Sequence, residues 1–168
     1  MAATIQIHEM SALAAGVDKT SGTVRFKAAD NNTVDTNDPI VVPASGTTYS
    51  YTKTLRAYMF AAPDTNVSDF EWYSDGANGL GTGVGVQVRN LGTSWTANIN
   101  TVMGSSTDLF DSTSGAPLDG AVTDTGPWLP ADNETYIGDL VRLQMSVADT
   151  ATNGATPTET LTLRFNEI

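Results

Sequence analysis

The sequence predicts an all-β protein folded as a single β-sandwich, and three observations lead there. Apolar and polar residues alternate in several short runs, the two-residue period of a strand. Asp, Gly, Asn, Ser and Thr crowd between those runs, as turns require. No long window carries the 3.6-residue period of an amphipathic helix. The 168 residues suit one domain over 1–168, and a chain of that size buries about 70% of the surface it exposes when unfolded.

Taken in order, Ile5 and Ile7 share one face of a first strand. MSALAAG at 10–16 has the composition for one or two helical turns, stopped by Gly16. Val24, Phe26 and Ala28 mark a second strand. Residues 49–61 are apolar on both faces, as a central strand would be. Phe70 and Trp72 alternate with Asp69 and Glu71, and SDGANG closes that strand. The glycine-rich GANGLGTGVG at 76–85 reads as a hairpin tip; it lacks GK[ST] and opens no helix, so it is no phosphate loop. Val84, Val86 and Val88 form a further stripe. Val141, Leu143, Met145 and Val147 form the cleanest one, and Leu161, Leu163 and Phe165 follow it across the loop DTATNGATPT. Segments 139–148 and 159–166 are therefore expected to pair antiparallel. Residues 104–133 form a loop-rich excursion with one short strand around 116–122, too long for a plain connector and expected to pack on a neighbour or stand out from the sandwich. Irregular strand spacing and the lack of a Cys–Trp–Cys framework favour a jelly-roll, with an immunoglobulin-like topology as the alternative.

A net charge of −11 repels phosphate backbones and anionic membranes, so neither nucleic acid nor membrane is an expected partner. No run approaches the roughly 18 apolar residues of a membrane span. MAATIQIHEM has neither the basic nor the apolar region of a signal peptide, which points to synthesis in a cytoplasm without secretion. The absence of cysteine excludes disulfides, thiol catalysis, zinc–thiolate sites and iron–sulfur clusters.

Candidate chemistry is sparse. The single histidine, His8, should lie exposed on the polar side of the first strand, with no GxSxG elbow to supply a nucleophile. One histidine cannot build a two- or three-histidine metal site. Asp69 and Glu71 beside Trp72 are the acid pair nearest an aromatic, and a solvated strand face explains them without catalysis. Asp30, Asn31, Asn32, Asp35 and Asp38 are of calcium-ligand type, but the segment lacks the Gly and Glu of an EF-hand loop and reads as an Asx-rich turn. Arg25, Lys27, Arg89, Arg142 and Arg164 fall on polar strand faces, where they could line one surface towards an acidic partner or pair across strands. The expectation is no enzyme, no catalytic, cofactor-binding or metal residues, and no cofactor.

TIQIHEMSA, GVDKTSGTVRFKAADNNTVDTNDPIVVP, YSYTKTLRAYMFAAP with VSDFEWYSDGANG, and the closing ATNGATPTETLTLRFNEI resemble small virion structural proteins of tailed phages. The resemblance covers most of the chain in overall phrasing and contains no ligand or catalytic motif. It implies a β-sandwich that decorates or cements the outside of the capsid, made in the host cytoplasm and located in the virion, with the major capsid protein or other virion proteins as partners. A tail, neck or fibre-associated component is the alternative within that group. A carbohydrate-binding module is the alternative outside it, with Trp72, Trp95, Trp128 and Tyr73 as its aromatics. A symmetric homo-oligomer is expected, a trimer first, from the threefold positions of capsid lattices. TIQIHE is expected either to add to a neighbour's sheet edge or to pair within its own sheet.

Overall fold

A computed structural model describes residues 2–13, 15–118, 123–124 (backbone only), 126–154 and 156–168. Among these residues there are ten strands: β1 Thr4–Ala12, β2 Ala15–Asp18, β3 Thr47–Tyr49, β4 Lys53–Ala61, β5 Val67–Tyr73, β6 Val84–Asn90, β7 Thr107–Asp108, β8 Thr123–Asp124, β9 Thr135–Ala148 and β10 Thr162–Glu167. Seven form one sheet in the order β2-β1-β4-β9-β6-β7, with β3 also paired to β9. The other three form a second sheet, β10-β5-β8. Every pairing is antiparallel. The protein is an all-β sandwich, as the alternation predicts.

The stripes explain which face is inside. Val84, Val86 and Val88 stand opposite Val147, Met145 and Leu143 across β6 and β9, and all six are buried. Leu55 and Val141 continue that layer, and Trp72 of the small sheet packs against it. A second cluster joins Ala57, Met59 and Ile137 of the large sheet to Val67 and Phe70 of the small one. The strand expected over 49–61 is β3 and β4 with a break at 50–52. There the amides of Tyr51 and Thr52 turn to the carbonyls of Lys27 and Ile99.

Several expected elements differ. The helical turns at 10–16 are replaced by the β1–β2 hairpin. A Cβ on Gly16 would lie 2.7 Å from Met10 Sδ and 2.8 Å from the Tyr136 hydroxyl, so tertiary packing rather than helix termination demands glycine there. Residues 24–28 form no strand. Their backbone makes isolated bonds, from the Ala28 amide to Asp38 and from the Tyr51 amide to Lys27, although Val24 and Phe26 still turn towards the core. The pairing of 139–148 with 159–166 is also overturned. Both edges of β9 are occupied, by β4 and β3 on one side and β6 on the other, so the chain crosses to the other layer and β10 pairs with β5, Leu163 opposite Trp72. Residues 76–85 are accordingly a crossover between sheets rather than a hairpin tip.

The 104–133 excursion packs on its own sandwich where it is described. Leu109 and Leu118 are core residues, the Leu118 amide donates to the Trp72 carbonyl, and Trp128 bridges to Val67. Most of the strand expected around 116–122 lies outside the described residues. TIQIHE is no free arm: β1 lies between β2 and β4, and its Glu9 and Met10 are buried. Removal of residues 1–9 is expected to abolish the cooperative unfolding transition. A truncated chain that still melts cooperatively would show that β1 is dispensable to the core.

Candidate functional site

His8 shares the outward face of β1 with Gln6 and Met10. Its ring stacks on Tyr58 (centroids 4.7 Å apart, 19° between planes) and meets Tyr136 edge-on. His8 Nδ1 is 3.1 Å from the Tyr136 hydroxyl and Nε2 is 2.9 Å from Gln6 Oε1. The residue is only 9% exposed, which corrects the expectation of an exposed strand histidine; two tyrosines from β4 and β9 cover it. Both ring nitrogens are engaged in this cluster.

Burial lowers the His8 pKa from its ordinary 6.5, opposed by the Asp18 carboxylate across the β1–β2 ladder. The sign follows from the lowered value: the unfolded chain takes up the proton first, so the contribution is complete above pH 6.5 and is lost as pH falls through the folded-state value. The melting temperature is expected to fall between pH 7.5 and pH 5, and His8→Gln to flatten that slope. Asp18 and Asp35 have lowered pKa values, through hydrogen bonds from Thr20 and from Lys27 respectively, and their contributions disappear only below the ordinary 3.8. An equal slope in His8→Gln would exclude His8 as its source.

The Asx-rich segment is organised by lysines. Lys27, 1% exposed, donates to Asn31 Oδ1 at 3.0 Å and Asp35 Oδ1 at 2.6 Å. Lys53 donates to Glu9 Oε1 at 2.9 Å and to the Asn31 carbonyl. Lys19 lies 3.6 Å from Glu9 Oε2 and donates to the Asn32 carbonyl. The Lys27 ammonium thus stands where the sequence offers oxygens to a cation. Asp30 and Asp38 turn instead to the amides of Asn98 and Asn31. Among the described residues no three His, Asp or Glu side chains converge as a metal site.

The five cations on expected strand faces do not share a surface. Arg89 and Arg142 are register partners on the outward face of the large sheet, Arg164 belongs to the small sheet, Lys27 is interior and Arg25 is exposed on an irregular segment. Arg142 is buried beneath the 94–103 segment, donating to Thr54 Oγ1 and the Thr96 carbonyl. Gln144 completes this arrangement: its amide donates to the carbonyls of Ser50 and Thr101, and its oxygen accepts from the Met103 amide at 2.8 Å. Side chains of β4 and β9 therefore replace strand pairing for a segment that has none, which satisfies the buried polar groups on both sides. Polar residues as large as Arg142 and Gln144 within the VRLQMSV stripe were the one sequence signal for this cover.

The remaining candidates are structural too. Glu71 is bonded by Arg164, and Asp69 accepts from Ser68 and Asn166 at a bulge where its φ is +52°. Trp72 is 3% exposed, and Trp128 stacks on Phe70 with centroids 4.4 Å apart. Tyr73 lies under the Arg164 guanidinium, 5.5 Å from its carbon. Two of the aromatics expected to receive a sugar thus belong to the packing. On the outward face, Phe60 of β4 is 54% exposed, next but one in its strand to Tyr58. β4 is an interior strand of the sheet, so Phe60 presents its ring from the sheet's outward face and not from an edge. No family model, curated protein or solved structure matches this chain.

Proposed function

We propose that this chain is a non-enzymatic structural protein of a tailed-phage virion, a decoration or cement protein that binds the major capsid protein on the outside of the head and stabilises it. The observation that carries the reading is how the chemically capable side chains are used. His8, Glu9, Lys27, Lys53, Glu71 and Arg142 all bond within the fold. The protein then has surface to offer, and Phe60, exposed on the outward face of β4 next but one to Tyr58, whose ring meets Tyr136, supplies an apolar part of it. The resemblance in phrasing to virion proteins supplies the setting. A homo-oligomer, a trimer first, fits the symmetry of such lattices. The tail, neck or fibre position is the second reading within the same class. The carbohydrate-binding reading is weakened because Trp72 and Trp128 are committed to the packing.

The test is reconstitution. Purified protein is mixed with capsids that lack it, and bound protein is counted by sedimentation and imaging. Binding to the head with raised capsid melting temperature is expected, and Phe60→Asp should reduce it without altering the protein's own melting. Protein found only on tails would move it to the second reading. Absence from purified particles would refute the virion assignment.

A further inference from the structure

The inner face of the large sheet is longer than the small sheet that covers it, and beyond the small sheet its cover is irregular chain. Between them lies a cavity of about 520 Å³. Its floor is Leu55, Val84, Val86, Leu143, Met145 and Val147, all aliphatic or thioether and all buried. Its roof and rim come from residues 19–26, 39–42 and 151–161, none of which belongs to a strand where described.

We propose that this cavity is a binding site for a single-chain amphiphile with a monoanionic head, a long-chain carboxylate. Four features select that chemistry. Its size is within the range of small-molecule sites and far above the roughly 10–15 Å³ that admits one water. Water on the floor would find almost no polar partner, and a void of this size forfeits contacts across it. The floor is wholly aliphatic or thioether, and Phe26 in the roof is the one aromatic among the described lining residues, a surface that suits a flexible alkyl chain better than a flat molecule. Polar groups gather at the rim: Thr20, Ser21, Thr23 and the guanidinium of Arg25. Arg25 is exposed and has no ion pair or hydrogen bond among the described residues, whereas Lys19, the other rim cation, is held by Glu9. Glu159 is the one carboxylate among the described rim residues and disfavours a head of higher negative charge. Unpaired irregular segments over the mouth can part to admit the chain without breaking a sheet.

The experiment uses the whole chain with dodecanoate as probe and dodecanol as its uncharged counterpart, read by calorimetry and native mass spectrometry. One saturable dodecanoate per chain is expected. Val86→Phe fills the floor and should weaken both probes at least about tenfold, a loss of roughly 1.4 kcal/mol. Arg25→Gln should weaken dodecanoate by up to about fivefold, the worth of an exposed ion pair, and leave dodecanol unchanged. Contacts in solution from the dodecanoate chain to the Met145 methyl are expected, a reading that needs no variant to fold. No saturable binding, or binding without the Met145 contact, overturns the site. Equal effects of Arg25→Gln on both probes overturn the anionic head.

Discussion

Glu9→Gln is expected to destabilise the fold by about 3–5 kcal/mol, because it leaves two ammonium groups without their counter-charge in a buried place. Lys53 is 2% exposed and Glu9 3%, and their side chains meet at 2.9 Å with Lys19 on the other carboxylate oxygen. A neutral amide can keep one hydrogen bond but cannot balance the charge. The double variant Glu9→Gln, Lys53→Met should recover most of the loss, since replacing a buried pair outright costs far less than orphaning one member. Urea unfolding of the three variants is the measurement. A cost below about 1 kcal/mol for Glu9→Gln would mean that the cluster behaves as an exposed pair.

Phe70→Ala should cost a similar amount, about 3–5 kcal/mol, by a different route. Phe70 is 2% exposed, with Trp128 stacked on one face and Phe165 edge-on at 5.8 Å. Removing it opens a void among aromatic rings that cannot collapse together, and it releases the chain around 126–128, whose tie to β5 is the Val67–Trp128 bridge. The variant's unfolding midpoint should fall with little change in the denaturant slope. Phe70→Leu should retain about half the stability lost. A Phe70→Ala protein that melts like the parent would place Phe70 outside the core.

Alternation marks which side chains face inward, because side-chain direction in extended chain depends only on the neighbouring residue; it marks a strand where a partner edge is present, and at 24–28 it marks only inward-facing Val24 and Phe26 on a segment that pairs with none. Val84, Val86, Val88 and the stripe from Val141 to Val147 were legible for that reason. Which strands pair was not. The β10 stripe fits β9 as well as β5 in pattern, and only the occupation of both β9 edges decides. Ala-rich 10–16 has helical preference, yet the packing of Met10 and Tyr136 on Gly16 overrides it. The lysine cluster was hidden because Lys27 and Lys53 look like solvated surface residues until Glu9, Asn31 and Asp35 arrive from three separate segments. The face of β1 that carries His8 is legible from alternation but its burial is not, since Tyr58 and Tyr136 lie 50 and 128 residues away in the chain.

Among the described residues β9 alone joins the two halves of the large sheet, with β2, β1 and β4 on one flank and β6 and β7 on the other, and it ends at Ala148. During synthesis the large-sheet strands that precede β9 therefore wait as two separate groups, with Leu55 and Val86 facing no common partner, until residues 135–148 have left the ribosome. Loop-closure entropy falls due in one late step, which places such a chain among the slow folders, on the order of milliseconds to seconds. Through that interval the unsealed flanks of β4 and β6 are open to other nascent copies, so yield on overexpression should rise as the rate of translation is lowered.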